Sequence, residues 1–332
     1  MDTYIHNLAN NYIIPTKPVD IDLVLDGGAF NGFYQLGSLK LIKELENRNY
    51  LKVNRISGVS VGAILGFYYI SNQLDKFEKD FEITRDYFRE NLNVGLYRKN
   101  IKDRINKISQ NIFQKIQSKL FISYYNIQDG KRVVTNKYDS KNNLTNCILK
   151  SSHLPYISNG ELFYKDVSGT MFIDGLYPYI FRERDHNTNT KILYISLTNF
   201  HSTGTLLSTK REVNVSGRII EGALDAHKLL FLNKDTVFCS FIQNWNSTDF
   251  IFLRIKHVLF IFIIYTIIVF KKFHDFFITH CVPYVYYLYN NNSKFKKITD
   301  FLLDTFQYNQ ILGMIDGITK NIFKDFMLYY CI

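Results

Sequence analysis

The feature that most constrains the fold of this chain is the pentapeptide GVSVG at residues 58–62. An apolar-leaning run precedes it and the apolar run 63–67 follows it, which is the order of a strand, a tight turn and a helix. Glycines two residues on either side of a serine permit the sharp turn of a nucleophile elbow, which exposes the serine hydroxyl. The sequence therefore predicts Ser60 as a nucleophile, with Gly58 and Gly62 as the elbow glycines.

A second strand, glycine loop and helix lie directly upstream. Residues 21–25 (IDLVL) predict a buried strand that runs into the loop DGGAFNG at 26–32. The loop precedes a helix whose apolar positions recur every three residues, at Leu36, Leu39, Ile42 and Leu45. Backbone N–H groups and the helix dipole at such a helix start favour an anion, which in an acyl-transfer enzyme is the tetrahedral oxyanion.

The two units in succession predict two parallel neighbouring strands, with both glycine loops at the carboxyl edge of one sheet. Farther along the chain, a hairpin over 162–173 leads into Asp174-Gly175, and the segments 192–197 and 237–242 are predicted as further strands. A helix is predicted over 209–233. The loops and Asp174 are therefore candidates for one site.

The residue types leave two arrangements open for the base that activates the serine. Ser60, Asp174 and His227 follow the chain order of an α/β-hydrolase triad. A dyad instead requires only that the carboxylate of Asp174 comes within hydrogen-bond reach of Ser60, with no histidine.

Three motifs together carry a family resemblance. DGGAFNGFYQLG, GVSVGAI and IDG, in this order and spacing, resemble the patatin-like phospholipase domain over roughly residues 21–197, and SSHLP at 151–155 resembles the family's helix end. The resemblance implies a three-layer α/β sandwich with a mostly parallel central sheet, and lipid acyl hydrolysis by a Ser–Asp dyad. Ser60 would be the nucleophile and Asp174 the base. The implied oxyanion hole is formed by the backbone N–H groups of Gly27, Gly28 and Ala29.

The glycine loop departs from the family pattern at two positions. Ala29 stands where a third glycine is usual, and Asn31 stands where a basic residue precedes the last glycine. Alanine keeps the N–H group but restricts φ, and asparagine removes a charge that could hold an anionic head group. Hydrolysis of neutral esters is less affected by this change than hydrolysis of phospholipids. A catalytically inactive, membrane-binding protein with the same fold is the alternative.

Composition favours an anionic, lipid-like partner. The formal net charge is +10, hydrophobic residues make up 46% and aromatic residues 16% of the 332 positions. We expect membrane lipids and an anionic membrane surface as partners and no nucleic acid. The histidines and cysteines have no metal-ligand spacing, so neither a metal nor another cofactor is predicted. Unpaired cysteines and the lack of a signal peptide pattern predict a cytoplasmic protein.

Three regions are expected along the chain: an N-terminal surface arm over 1–18, the hydrolase domain over 19–245, and a helical, hydrophobic and basic extension over 246–332. The extension contains the apolar run 258–270 between basic residues, which predicts a possible membrane anchor. The isoleucine stripe of a basic amphipathic helix over 101–120 is expected to pack on the domain, with an anionic bilayer as the alternative.

Overall fold

The structure is a computed structural model that describes residues 2–155, 157–181, 190–197, 214–276, 279–280 and 282–306. It divides into two compact units, one within residues 1–246 and a second that begins at Ser247. The first unit contains the sheet and the candidate site. The described part of the second unit is helical.

A single mixed sheet forms the centre of the first unit. Its strands are β1 Val19–Leu25, β2 Leu51–Gly58, β3 Leu120–Asn126, β4 Lys131–Thr135, β5 Tyr164–Lys165, β6 Met171–Asp174, β7 Lys191–Ile195 and β8 Cys239–Phe241. The strand order is β5-β6-β3-β2-β1-β7-β8, and β4 also pairs with β3. Strands β3, β2, β1 and β7 are parallel to one another, whereas the other pairings are antiparallel. The predicted α/β fold with a mostly parallel sheet is confirmed.

Helices flank this sheet. In chain order they are α1 Asp2–Ala9, α2 Gly32–Asn47, α3 Val61–Ile70, α4 Leu74–Asn91, α5 Gly95–Lys107, α6 Gln110–Ile116, α7 Lys141–Ser151, α8 Val215–Leu232, α9 Ser247–Phe276, α10 Val282–Asn291 and α11 Ser293–Phe306. The four apolar positions that predicted α2 are all buried. Helix α8 corresponds to the helix expected over 209–233, of which residues 209–213 lie outside the described residues.

The central strand β1 is buried on both faces of the sheet. Leu23 and Leu25 join the main core, to which most helices of the first unit contribute. Val24 points to the opposite face and packs with Phe181 and Tyr194 in a smaller cluster. A strand covered on both sides is typically a nearly continuous apolar run. IDLVL fits this pattern apart from Asp22, whose buried carboxylate is paired with Arg55 at 3.0 Å.

The basic segment 101–120 is not one continuous helix, so that expectation is wrong. It contains the end of α5, all of α6 and the first residue of β3. The break occurs at Ser109, whose hydroxyl accepts a hydrogen bond from the N–H of Ile112 and caps a new helix. Ile105 and Ile116 are fully buried. The isoleucine stripe therefore packs on the core and is not available to a bilayer.

The N-terminal segment is more ordered than the surface arm that its polar sequence predicted. It begins with α1, and Ile5, Ala9 and Tyr12 are buried in the main core. Lys40 on α2 forms an ion pair with Asp2, which further ties the two helices together. The short amphipathic pattern of α1 was obscured by its asparagines and the prolines that follow.

The second unit begins with the long helix α9. This helix contains the apolar run 258–270. Within the described part of the chain, no helix combines the length and the apolar character needed to cross a membrane.

Candidate active site

The strand β3 brings Ser60 and Asp174 together. Its first residues pair with β2, so that Gly58 lies opposite Ile122, and its next residues pair with β6, so that Asp174 lies opposite Tyr124. These two positions on β3 are about 7 Å apart, because a strand advances ~3.3 Å per residue. Ser60 follows Gly58 by two residues. Its side chain lies close enough to the carboxylate of Asp174 to lower the pKa of that carboxyl group.

Ser60 has the backbone conformation of a sharp strand-to-helix turn. Its φ of 55° and ψ of −129° are unusual for a residue with a side chain, and the turn leads directly into α3. The glycines on either side are required by close backbone approach. A Cβ on Gly62 would lie 2.5 Å from the carbonyl oxygen of Leu25, and one on Gly58 would lie 2.5 Å from that of Gly62. No larger residue fits at either position without a backbone shift.

The C-terminal end of α7 is hydrogen-bonded to the backbone of Ser60. The backbone N–H of Ser60 donates to the carbonyl oxygen of Ser151 at 3.1 Å and to its Oγ at 3.0 Å. Ser151 Oγ in turn donates to the carbonyl oxygen of Ser123 on β3 at 2.7 Å. The segment SSHLP therefore fixes the elbow against the strand that also holds Asp174, and the N–H of Ser60 is already occupied.

Asp174 is a buried carboxylate with few partners. Its Oδ1 accepts a hydrogen bond from the N–H of Leu176 at 2.8 Å, and its own N–H donates to the carbonyl oxygen of His153 at 3.1 Å. Burial raises the pKa of the Asp174 carboxyl to about 7, although the nearby Ser60 side chain and the hydrogen bond from the N–H of Leu176 oppose the rise. A group with this pKa is suited to accept and return a proton near neutral pH.

In the glycine loop, only two of the three predicted oxyanion donors are free. The N–H of Gly27 donates to Oδ1 of Asp26 at 3.0 Å and is therefore not available, which corrects the prediction for Gly27. The N–H groups of Gly28 and Ala29 have no hydrogen-bond acceptor among the residues that the structure describes. Ala29 has a φ of 43°, a left-handed conformation that costs an L-residue about 1–2 kcal/mol.

Asp26 organises this loop and was quoted in the sequence motif without a role. Its carboxylate is fully buried and accepts hydrogen bonds from the N–H of Gly27, from Oγ of Ser196 at 3.3 Å and from the N–H of Leu197 at 3.5 Å. The available signal was an acidic residue between an apolar strand and two glycines, because a buried charge at that place must be paired.

Leu197 also sets the shape of the loop. A Cβ on Gly28 would lie 2.4 Å from the Cβ of Leu197, so the close approach of the two segments requires glycine. The side-chain amide of Asn31 donates to the carbonyl oxygen of Leu197 at 3.4 Å and is itself buried. Asn31 therefore holds the loop to the end of β7, in the position where the family usually has a basic residue.

An apolar pocket opens beside Ser60. Ala29, Phe30 and Ser152 line it near the serine, and side chains from α3, α4 and α5 form its walls. Its accessible lining is almost wholly apolar. A pocket of this kind accepts a hydrocarbon chain whose polar end reaches the serine.

The structure does not bring His227 to the serine. Its Nδ1 lies 3.0 Å from the hydroxyl of Tyr12 in a hydrogen bond, and Tyr12 also packs on Tyr50. Tyr50 immediately precedes β2, whereas Ser60 follows the other end of this eight-residue strand, about 26 Å away at ~3.3 Å per residue. A triad of Ser60, Asp174 and His227 is therefore excluded by geometry.

Of the two other histidines considered, His153 is the one that the structure describes. His153 is buried, and its ring donates to the carbonyl oxygen of Glu161 at 3.2 Å, while burial lowers the pKa of its imidazole. His186 lies outside the described residues. Among the residues that are described, no group of three or more His, Cys, Asp or Glu side chains could hold a metal ion.

Comparisons with known proteins bear on this site. The sequence matches the family model described as patatin-like phospholipase over residues 23–256. No curated protein sequence matches the chain. Among solved structures, the fold is similar to that of VipD from Legionella pneumophila, with 14% sequence identity and a TM-score of 0.34. This match covers 53% of the present chain and 49% of the VipD chain, so it spans about half the length of each.

Proposed function

The chain belongs to the patatin-like phospholipase family, whose members are lipid acyl hydrolases, and we propose that it cleaves carboxylic esters of lipids with Ser60 as nucleophile and Asp174 as general base. One observation carries this proposal. The side chain of Ser60 lines an apolar pocket and lies close enough to the buried carboxylate of Asp174 to lower the pKa of that carboxyl group.

In the acylation step, Asp174 accepts the proton of the Ser60 hydroxyl while Oγ attacks the ester carbonyl carbon. The charge that develops on the carbonyl oxygen is stabilised by the N–H groups of Gly28 and Ala29, next to the N-terminus of α2. Collapse of the tetrahedral intermediate breaks the bond to the alcohol oxygen. Asp174 returns its proton to that oxygen, and the acyl group remains on Ser60.

In the deacylation step, a water molecule takes the place of the alcohol. Asp174 accepts a proton from this water, whose oxygen attacks the acyl carbon, and the bond to Ser60 Oγ then breaks as the proton returns to the serine. No histidine is required, because one carboxyl group with a pKa near neutrality carries the proton in both steps.

Covalent labelling tests this proposal against the alternative of an inactive scaffold. We expect a fluorophosphonate probe to label the purified protein at one site, with peptide mapping that assigns the adduct to Ser60. Ser60→Ala should abolish the labelling. Ser168→Ala is a suitable comparison, because it removes a hydroxyl from the exposed turn before β6 and leaves the elbow unchanged. A folded sample that is not labelled at Ser60 would favour the scaffold.

We further propose that the protein acts at an anionic membrane surface, in the cytoplasm, through helix α9. Six exposed apolar side chains on α9 are spaced by alternating steps of four and three residues, at Ile251, Ile255, Val258, Phe262, Tyr265 and Val269. At about 100° per residue these positions fall within ~80° of one another and form one stripe. Arg254 lies on the same helix, and the net charge of the chain is +10.

An interfacial location agrees with the apolar stripe of α9 and with the basic charge of the chain. A helix that lies in the membrane surface inserts its apolar stripe to the depth of the acyl boundary, and nearby basic residues each add about 1 kcal/mol near an anionic surface. Such a helix need not be long enough to span the bilayer.

Vesicle flotation tests the membrane proposal. The wild-type protein should float with vesicles that contain phosphatidylserine, and Phe262→Asp, in the middle of the α9 stripe, should reduce the bound fraction at least fivefold. Phe252→Asp makes the same chemical change about 100° around the helix from the start of the stripe and should have a smaller effect. Equal effects of the two variants, or no binding by the wild type, would contradict an interfacial α9.

A further inference from the structure

The length of the pocket beside Ser60 can be calculated from the rise of two helices that line it. Helix α3 runs from Ser60 at the pocket mouth to Tyr68 in the pocket lining, a distance of about 12 Å at ~1.5 Å per residue. Helix α5 carries Tyr97, whose hydroxyl is bonded to Ser152 near the mouth, and Arg104 seven residues later. The second path gives about 10 Å by the same rise. The lengths calculated along α3 and α5 therefore agree.

Helix α4 runs along the pocket in the opposite direction and distinguishes its two ends. Near its C-terminus, the Phe88 ring packs on Phe30 of the glycine loop, with ring centroids 4.6 Å apart. Near its N-terminus, Phe77 packs on Tyr68 at 5.4 Å. The loop and Ser60 are therefore at one end of the pocket, and Tyr68 and Phe77 are at the other.

The end of the pocket away from Ser60, which we call the deep end, carries a polar cluster, and Tyr68 and Asp80 of this cluster line the pocket. The hydroxyl of Tyr68 donates to Oδ2 of Asp80 at 2.7 Å. Arg104 donates to both oxygens of the same carboxylate, from Nε at 2.7 Å and from Nη2 at 2.8 Å. The Asp80 side chain is only 14% exposed. If the end of an acyl chain displaced Asp80 from its partners, a poorly solvated charge would be left unpaired, which is energetically unfavourable.

We propose that this cluster of Tyr68, Asp80 and Arg104 limits the length of the acyl chain, so that the protein prefers medium-chain acyl esters of about eight to ten carbons. The inference rests on the proposed function, because it takes the acyl chain to enter the pocket from Ser60. Carbon–carbon bonds of ~1.5 Å in a zigzag advance about 1.3 Å per carbon, so a depth of 10–12 Å holds roughly eight or nine carbons beyond the carbonyl.

We expect affinity to rise with acyl chain length and then to stop rising. Each CH₂ that enters the apolar part of the pocket should raise affinity about fourfold, the ratio that corresponds to ~0.8 kcal/mol per buried CH₂. Beyond about ten carbons the gain should stop, because an additional CH₂ meets Asp80 or leaves the pocket. A surface groove without a closed end would show no such break.

The first experiment measures kcat/KM of the full-length protein on p-nitrophenyl esters with acyl chains of 4, 8, 10, 12 and 16 carbons in one mixed micelle. We expect a maximum at eight to ten carbons and a value at least tenfold lower at sixteen. A profile that rises or stays level to sixteen carbons would overturn the inference.

Two variants change the pocket in opposite directions. Asp80→Ala with Arg104→Ala removes the polar closure, and the ratio of the sixteen-carbon to the eight-carbon rate should rise at least tenfold. Ile64→Trp fills the pocket about one helical turn from Ser60, and the ratio of the four-carbon to the eight-carbon rate should rise at least tenfold. Glu44→Ala with Arg48→Ala removes an ion pair from α2 outside the pocket lining and should leave the profile unchanged. Unchanged ratios in the two pocket variants would overturn the inference.

Binding of free fatty acids separates this inference from the proposed function. Affinities of octanoate, decanoate and hexadecanoate are measured by calorimetry below their micelle concentrations, together with thermal unfolding of each variant. If no ester of any length is hydrolysed, the proposed function fails, and a break in affinity after decanoate still supports the chain-length limit. If esters are hydrolysed and affinity rises steadily to hexadecanoate, the function stands and the limit is wrong.

Discussion

The loops that follow β1 and β2 lie side by side, but they are held in place by different forces. In the elbow after β2, Gly58 and Gly62 are required because a Cβ would collide with backbone atoms. In the loop after β1, Ala29 has a left-handed conformation despite its side chain, and the N–H of Gly27 is bonded to Asp26. Steric exclusion thus determines the elbow on both sides of its serine. In the glycine loop it requires glycine at Gly28, against Leu197, whereas position 29 carries a side chain and the loop is held by hydrogen bonds to the buried carboxylate of Asp26.

This difference affects how each loop should respond to change. A position where a Cβ would collide with the backbone cannot hold a larger residue. Position 29 of the glycine loop can hold an alanine as long as the hydrogen bonds to Asp26 remain. The N–H groups of Gly28 and Ala29 in the loop after β1 therefore have no acceptor among the described residues, although one glycine of the family pattern is missing.

The largest effect is expected at the dyad itself. Ser60→Ala removes the proposed nucleophile and Asp174→Asn removes the proposed base, so each should lower kcat/KM for ester hydrolysis by at least about a thousandfold. Circular dichroism should show unchanged folding. His227→Ala serves as the control and should retain most of the activity, because His227 lies at the other end of β2. A large loss in His227→Ala with a mild loss in Asp174→Asn would contradict the dyad.

Asp26 should be the residue on which the glycine loop depends most. Asp26→Ala leaves the N–H of Gly27, the hydroxyl of Ser196 and the N–H of Leu197 without their acceptor. We expect kcat/KM to fall about a hundredfold, as when an oxyanion donor is misplaced, and the free energy of unfolding to fall by about 1–3 kcal/mol.

Asp26→Asn is the matched variant, since its side chain keeps one acceptor oxygen. It should lose less activity and less stability than Asp26→Ala in urea denaturation and steady-state kinetics. If Asp26→Ala is folded and as active as the wild type, the loop is not held by this carboxylate.

The pH dependence should report the pKa of Asp174. Because the base must be deprotonated, kcat/KM should rise about tenfold per pH unit below about 7 and level off above it. A profile that reaches its plateau near pH 5, the range of an ordinary carboxyl group, would contradict the assignment of Asp174 as a buried base.

The same pKa predicts a change in stability. A carboxyl group whose pKa is higher in the folded than in the unfolded protein destabilises the fold at pH above its folded pKa, and this penalty disappears as pH falls through 7 towards 4. Asp174→Asn should therefore increase the free energy of unfolding at pH 8, by up to roughly 4 kcal/mol, and by little at pH 4. Equal differences at both pH values, measured by urea unfolding, would contradict this account.

The smallest effect is expected at Ala29. Ala29→Gly should relieve the left-handed strain, raise the free energy of unfolding by no more than about 1 kcal/mol and change kcat/KM less than about threefold. Gly62→Ala adds the same methyl group to the other loop and should cost about 1–3 kcal/mol or more, because its Cβ would lie 2.5 Å from the carbonyl oxygen of Leu25. If the two exchanges have effects of equal size, the contrast between the loops is wrong.

Local sequence patterns were sufficient to predict the central part of the fold. The apolar run of β1, the three-residue spacing in α2 and the serine between two glycines each specify their structure within a short window. The hairpin that ends at Asp174 was also predicted, because its turn residues are local. Its position next to Ser60 depends on β3, whose register with β2 and β6 cannot be inferred from either motif alone.

What could not be predicted depends on contacts between distant residues. The loss of the Gly27 donor follows from the side-chain rotamer of Asp26, and the burial of Asp26 depends on the end of β7. The break in the segment 101–120 follows from the capping by Ser109, which an uninterrupted isoleucine spacing concealed. The polar end of the acyl pocket joins three helices and has no signature in any one of them.

The central claim is that Ser60 carries the acyl group during turnover. The most direct measurement is to mix the protein with excess p-nitrophenyl octanoate, quench in acid within milliseconds and determine the intact mass and the modified peptide. We predict one octanoyl group per chain, located on Ser60. This adduct should form more slowly in Asp174→Asn and should not form in Ser60→Ala. Turnover without an acylated protein, or an octanoyl group on a different residue whose formation persists in Ser60→Ala, would contradict it.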